Sequence, residues 1–304
     1  MVFAGFFASL NKVVFGESLA LVSFQNNTST GNTFSLSSSH PVKDVHFIPD
    51  GSAFFMLGSD TVNSADRVYK YDMTTNYDIT TASYSQNVVI STANAGRYEA
   101  ILFNAAGTQL YITQYTEGQK VNGNEVSFNR IRTFTLSTAW DLTTISSPTD
   151  YTFSVGRKRH LSMSFNDNGT KIYMASSDSK KLYEYSLSTA YDVSSLQGIN
   201  PDSGASATYD YNTISGGQSV ASFQFTNNGK VLFFLYTAGG GAILELSTAY
   251  NLSTISVHEN FASGSVPTQL NNTGTEFTIN LVDPPGSGTK YFISSHNTMY
   301  ENQF

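Results

Sequence analysis

One segment of this sequence returns five times. His160-Leu-Ser-Met-Ser-Phe165-Asn-Asp-Asn-Gly169-Thr-Lys-Ile-Tyr173 is matched by Val45-His-Phe47-Ile-Pro-Asp-Gly51-Ser-Ala-Phe-Phe55, by Ala100-Ile-Leu-Phe103-Asn-Ala-Ala-Gly107-Thr-Gln-Leu-Tyr111 and by Ser222-Phe-Gln-Phe225-Thr-Asn-Asn-Gly229-Lys-Val-Leu-Phe233. The fifth copy, Thr278 to Phe292, has a turn two residues longer and regains register at Gly288-Thr-Lys. The turn glycines Gly51, Gly107, Gly169, Gly229 and Gly288 are 56, 62, 60 and 59 residues apart. A period of this size means that one supersecondary unit is stacked repeatedly to bury a shared core. Asp-Gly or Asn-Gly between two apolar runs predicts a hairpin, because glycine accepts positive φ at little cost. Phe47, Phe103, Phe165 and Phe225 stand four residues before the glycine, and Phe55, Tyr111, Tyr173, Phe233 and Phe292 four after it. Even spacing puts such aromatics on one face of a strand.

A second motif follows each hairpin. It reads Val68-Tyr-Lys-Tyr71-Asp-Met-Thr-Thr-Asn-Tyr77-Asp, Ile131-Arg-Thr-Phe134-Thr-Leu-Ser-Thr-Ala-Trp140-Asp, Leu182-Tyr-Glu-Tyr185-Ser-Leu-Ser-Thr-Ala-Tyr191-Asp and Ile243-Leu-Glu-Leu-Ser-Thr-Ala-Tyr250-Asn. Alternation predicts a third strand, and Ser-Thr-Ala-aromatic-Asp a compact corner closed by side-chain-to-backbone hydrogen bonds. A weaker fourth strand is expected over Asn87–Ser91, Tyr151–Val155, Tyr209–Ile214 and about Asn260–Ser265. Four-stranded units at this spacing predict an all-β, five-bladed β-propeller of antiparallel blades over residues 31–304. The last unit ends after its third strand. Asn32-Thr-Phe-Ser-Leu-Ser37 resembles a fourth strand, so an N-terminal strand is expected to close the ring and cover its open edges.

The wording of the repeat resembles the Asp/Asn-Gly hairpins of the YVTN and WD40-like propellers. It is more similar to the Tyr-x-Leu-Ser-Thr-Ala-(Trp/Tyr)-Asp repeats of aquatic bacteria and their viruses, over residues 32–304. The resemblance to virion propellers implies a tail, fibre or particle-surface protein, located in a virion.

Composition narrows the partners. Charged residues are 13% of 304, the net charge is −7, and there is no cysteine. A net acidic chain is a poor general nucleic-acid binder, and disulfides or thiolate metal sites are excluded. The apolar start, Met1-Val-Phe-Ala-Gly-Phe-Phe-Ala-Ser-Leu10, lacks the leading positive charge of a signal peptide and is interrupted by Asn11, Lys12, Gly16 and Glu17. Residues 1–30 are therefore expected to be an arm that docks on other virion proteins, with no membrane insertion. A homo-oligomer on the particle is a further option.

Chemistry-bearing motifs are sparse. There is no Gly-x-Ser-x-Gly elbow, His-Glu-x-x-His or Walker loop. No cofactor, metal or catalytic residue is expected. His46 and His160 both belong to first strands and would have to approach each other to form a site. Asn166-Asp-Asn-Gly169 lacks the further acids of a calcium loop. Tyr77, Trp140, Tyr191 and Tyr250 read as packing residues between blades rather than sugar platforms.

In a propeller, the first turns and the aromatic-Asp corners share one face, here constant in sequence. The remaining loops share the other face, here variable: Gly58–Asp66, Tyr115–Asn129, Ser176–Lys181, Ala238–Gly241, Ser294–Thr298, Gly156–His160 and Gly264–Thr275. Binding usually resides in variable loops on a rigid frame. Two places are candidates. Arg157, Lys158, Arg159 and His160, with Arg97 at the equivalent place one blade earlier, form the densest positive cluster. The long insertion offers Tyr115, Gln119, Lys120 and Asn122. The expected function is non-enzymatic: a virion surface or tail protein that attaches to the host or anchors another virion protein. The alternatives are a carbohydrate-binding, lectin-like propeller that is secreted or on a cell surface, with host-surface glycans as partners, and a hydrolase or lactonase using Asp44, Glu99 or Glu276 near the axis.

Overall fold

The structure is a computed structural model. It describes residues 28–35, 42–60, 65–91, 97–121, 124–153, 160–196, 204–226, 229–237, 239–261, 277–282, 290–295 and 298–303. The strands, in chain order, begin with β1 (Thr28–Ser35). Sheet one is β2 (Val42–Phe47), β3 (Ala53–Asp60), β4 (Ala65–Met73) and β5 (Ala82–Ser91). Sheet two is β6 (Arg97–Phe103), β7 (Gln109–Val121), β8 (Asn124–Thr135) and β9 (Thr149–Phe153). Sheet three is β10 (His160–Phe165), β11 (Lys171–Ser176), β12 (Lys181–Ser186) and β13 (Ala207–Asp210). Sheet four is β14 (Val220–Thr226), β15 (Val231–Tyr236), β16 (Gly241–Leu246) and β17 (Ile255–Phe261). Sheet five is β18 (Phe277–Val282), β19 (Lys290–Ser295), β20 (Thr298–Gln303) and then β1.

Every pairing is antiparallel, and β1 lies on β20 with Thr33 opposite Tyr300 and Phe34 opposite Met299. The first strands are neighbours in the cyclic order β2, β6, β10, β14, β18 and back to β2. The fold is thus all-β and propeller-like, a ring of four-stranded sheets with the N-terminal strand completing the sheet that the C-terminus begins.

The core is a series of layers between sheets rather than one central mass. Phe55, Phe103, Leu110 and Phe134 fill the space between sheets one and two. Tyr111, Met163, Ile172 and Tyr185 fill the next, and Tyr173, Phe225, Leu232 and Phe234 the one after. At the closure, Phe34 of β1 packs on Phe54 and Tyr71 of sheet one, with ring centroids 5.9 and 5.3 Å apart.

The repeated turns and corners explain one another. Gly51, Gly107, Gly169 and Gly229 have φ between 69 and 81°. Gly51, Gly107 and Gly169 each end a turn: Gly51 N–H donates to Ile48 O at 2.9 Å, Gly107 N–H to Asn104 O at 3.0 Å and Gly169 N–H to Asn166 O at 3.0 Å. These are four-residue hairpin loops, longer than the two-residue turn that Asn-Gly alone suggests. The corner aromatics Tyr77, Trp140, Tyr191 and Tyr250 also have positive φ, 59–62°. That conformation costs a non-glycine residue about 1–2 kcal/mol.

Two contacts repay it. The aromatic N–H donates to the turn glycine's carbonyl at 2.8–2.9 Å, and the ring lies flat over the glycine where a Cβ would be. The next residue, Asp78, Asp141, Asp192 or Asn251, accepts the N–H two positions on at 2.9–3.1 Å and starts a single 3-10 turn. The fixed aromatic therefore packs first on its own sheet's turn. It packs second across the interface, as the centroid distances of 6.3 Å from Tyr250 to Tyr173 and 6.1 Å from Trp140 to Phe55 show.

The fourth strands depart from expectation. β5 and β17 begin at Ala82 and Ile255, immediately after the corner, because the 3-10 turn leads straight into extended backbone. β13 stops at Asp210, where Asp210 accepts Asn212 N–H at 3.0 Å, and a four-residue helix, α1 (Asn212–Ser215), follows and ends on left-handed Gly216.

Candidate functional site

The axial strands carry buried polar groups, and these act as brackets. β2, β6, β10 and β14 each have a register shift near their start. A bulge removes ladder partners from N–H groups, and side chains supply replacements. Asp44 accepts Val45 N–H and, across the interface, Ile101 N–H of sheet two, both at 2.9 Å. Ser162 Oγ accepts Phe223 N–H of sheet four at 3.3 Å. Asp44 is buried with both carboxylate oxygens engaged, which is a joining role. Glu99 is buried on β6, and Glu276 lies outside the described residues.

His46 is stacked on Trp140 at 6.2 Å and lies tilted against Phe103 at 5.4 Å. Burial pushes its pKa down to about 4. It stands opposite Phe55 near the turn end of β2, whereas His160 opens β10 opposite Ser176. The repeat register therefore places the two histidines at opposite ends of their strands. Among the described residues no group of three His, Asp or Glu is placed to hold a metal ion.

The constant face is tied together from sheet to sheet. Tyr111 Oη donates to Tyr191 O at 2.5 Å, and Tyr173 Oη to Tyr250 O at 2.6 Å. Tyr191 Oη donates to Asp167 O at 2.9 Å, and Tyr250 Oη bonds the Asp167 carboxylate. Burial raises the pKa of all four phenols, and the carboxylates of Asp192, Glu184 and Asp167 nearby add to it.

On the variable face, sheet two departs from expectation. The insertion after Tyr115 is not a loop. β7 and β8 continue as a paired ribbon through Gln119↔Val126, Lys120↔Glu125 and Val121↔Asn124, leaving two residues between the strands. Gln119 and Lys120 lie in that ribbon, and Asn122 is outside the described residues. Tyr115 is at the ribbon's base, paired with Arg97 of β6 and Asn129 of β8. It is 6% exposed and so belongs to the frame rather than to a binding surface. Arg157, Lys158 and Arg159 are outside the described residues. His160 is the first residue of β10.

A charged network that no local sequence pattern marks stands beside that base. Arg130 and Arg132 both grip Asp150, at 2.6 and 2.9 Å. Arg130 also bonds the buried amide of Gln114, and Arg132 donates to Tyr98 Oη at 3.0 Å and to Ile90 O of sheet one at 3.1 Å. Burial works against the charge of Arg132, but Tyr98 and Asp150 outweigh it and hold its pKa above the ordinary arginine value. The alternation Asn129-Arg-Ile-Arg-Thr133 does place both arginines on one strand face. Their partner is visible only once Asp150 is in register opposite Arg132.

Lys180 Nζ bonds Ser219 Oγ at 2.6 Å between sheets three and four, and Tyr211 Oη donates to Ser176 O at 2.6 Å within sheet three and accepts Val220 N–H of sheet four at 3.4 Å. The arrangement offers a rigid base, a projecting ribbon and partly exposed guanidinium groups. It can position polar groups against a partner.

No family model matches this chain, and no curated protein does. Solved structures do. A functionally unknown protein from Desulfotomaculum acetoxidans DSM 771 is 13% identical over 84% of this chain and 62% of its own, with a TM-score of 0.41. A Bacteroides fragilis NCTC 9343 protein provisionally named a 6-phosphogluconolactonase is 12% identical over 82% and 79%, with a TM-score of 0.47. Kuenenia stuttgartiensis hydrazine synthase is 12% identical over 67% and 58%, with a TM-score of 0.41. The chain thus spans about three fifths of the first and third of these proteins. Similarity at this level carries no activity across.

Proposed function

We propose that the chain is a five-bladed propeller that works without catalysis, as a particle-surface module of a virion. In this reading it attaches to the host surface or anchors another virion protein. One observation carries the reading: the two faces are built differently. Four corners of one face repeat the same aromatic-on-glycine lock, while on the other face, among the described residues, a paired ribbon, β7–β8, extends beyond the frame. A uniform frame with one projecting element suits presentation to a partner. The engaged oxygens of Asp44 and the stacking of His46 favour a structural role for the axis. The virion setting rests on the resemblance of the repeats.

The test has two arms. Antibody labelling of purified particles asks whether the chain is on their surface. Replacing residues 117–127 by Asn-Gly asks whether the ribbon binds. The reading expects labelled particles and loss of binding to host cells with an unchanged thermal melt. Unlabelled particles refute the virion setting. Full binding without the ribbon refutes the presenting face.

A further inference from the structure

Among the described residues the outermost strand of each sheet pairs on one side only, and exposed edges pair with other chains unless they are short, charged or broken. Four are protected in these ways. β9 has five residues and carries Asp150. β13 has four and is followed by α1. β17 carries His258 and Glu259. β1 contains Gly31 and loses register between Ser29 and Thr33. β5 also loses register, at Ser85 and at Ile90, but it is the longest of the five outer strands. Its ten residues, Ala-Ser-Tyr-Ser-Gln-Asn-Val-Val-Ile-Ser, include no charge and no proline. It also carries two of the three large hydrophobic side chains exposed among the described residues, Tyr84 at 55% and Val89 at 37%.

We propose that β5 pairs antiparallel with β5 of a second copy of this chain, about a two-fold axis through Asn87. The register follows from the sheet itself. Against β4, Tyr84 is opposite Tyr71, Gln86 opposite Lys70, Asn87 opposite Tyr69, Val88 opposite Val68 and Val89 opposite Arg67, with Ser85 the extra residue of a bulge. The bulge puts Tyr84, Asn87 and Val89 on one face and Gln86 and Val88 on the other. With Asn87 on the axis, Gln86 meets Val88 of the second copy. The bulged Ser85 then brings Tyr84 opposite Val89 of the second copy, and Val89 opposite its Tyr84. Each exposed apolar side chain is covered by the other, on the same face, and both copies use the same patch, as a two-fold contact requires.

Tyr84 is also held ready. Arg67 donates to Asn87 Oδ1 at 2.6 Å, and the Asn87 amide bonds the Tyr84 hydroxyl. Fixing the side chain beforehand lowers the ordering cost of association. The surface is independent of the β7–β8 ribbon, so it holds or fails apart from the proposed function.

Sedimentation velocity of the full chain tests it. An interface of one strand edge falls below about 1,200 Å², so a monomer–dimer shift is expected between about 10 and about 500 µM. Asn87→Asp gives Arg67 a carboxylate in the monomer but sets two like charges on the axis, and Val89→Lys charges the apolar contact. Both variants should stay monomeric at the top concentration with unchanged circular dichroism. Because the chain has no cysteine, Asn87→Cys should oxidise to a dimer about tenfold faster than Val257→Cys, an exposed control on β17, through raised local concentration. A native chain that stays monomeric throughout, a dimer that survives both charge variants, or equal oxidation rates for the two cysteines would overturn the proposal.

Discussion

Replacing Gly169 with alanine isolates the corner lock. Gly169 has φ 69°, so a Cβ there carries the left-handed penalty of about 1–2 kcal/mol. The new atom would also lie 2.5 Å from three ring atoms of Tyr191, where ordinary contact begins near 3.4 Å. The ring cannot swing aside freely: Tyr191 is itself left-handed, its N–H donates to Gly169 O, and its carbonyl accepts from Tyr111 of sheet two. Overpacking of this kind costs about 1–3 kcal/mol more, for a total of about 2–5 kcal/mol. Gly216→Ala is the matched control. Its φ is 59°, but nothing lies within 4 Å of the added Cβ, so the conformational cost of about 1–2 kcal/mol stands alone. Urea unfolding of both variants measures the difference. Removing the ring as well, in Gly169→Ala with Tyr191→Ala, should cost less than the two single changes added together. If Gly169→Ala is no more destabilising than Gly216→Ala, the lock does not exist as described.

Other outcomes follow from the same geometry. Tyr173→Phe removes the bond to Tyr250 O but leaves Lys171 Nζ 3.4 Å from that carbonyl; the loss should be about 0.5–1.5 kcal/mol in urea unfolding. Asp44→Asn turns an NH₂ toward one of two backbone N–H groups in sheets one and two, and should cost about 1–3 kcal/mol by the same assay. His46 is pushed down to about 4 in the fold from an ordinary 6.5. Between these values the unfolded chain binds the extra proton, so its contribution is whole above pH 6.5, falls as pH drops toward 4 and is gone below that. The span of about 2.5 pH units is worth about 3 kcal/mol. His46→Phe should flatten that part of the stability–pH profile, and an unchanged slope would refute the placement of His46.

Much of this fold is legible because its signals are local. Gly169 and Tyr191 recur at fixed spacing, and the turn and corner they build use residues within about thirty positions of each other. The closing strand was legible for the same reason, since Asn32-Thr-Phe34 repeats the pattern of Tyr151-Thr-Phe153. The failures involve longer-range pairing. Tyr115 looked like a loop aromatic because the residues after it contain Gly118 and polar side chains, yet pairing from Gln119 to Asn124 carries the strands on and leaves Tyr115 in the core. The network of Arg130, Arg132 and Asp150 joins two strands with a corner between them and reaches Ile90 of another sheet, so no local pattern announces it. Strand-edge exposure at Tyr84 and Val89 depends on the bulge at Ser85, which also has no sequence signature.

The ring and its closure are tested most directly by a covalent bond between Thr33 and Tyr300, which face each other across β1 and β20. The chain contributes no cysteine of its own, so Thr33→Cys with Tyr300→Cys reports on that pair alone. Mild oxidation of dilute monomer should close an intramolecular disulfide quantitatively. The closed loop spans most of the chain, so unfolding should become about 4–5 kcal/mol harder. Thiols that stay free in the native monomer, or that join only different molecules, would contradict a ring completed by its own N-terminal strand.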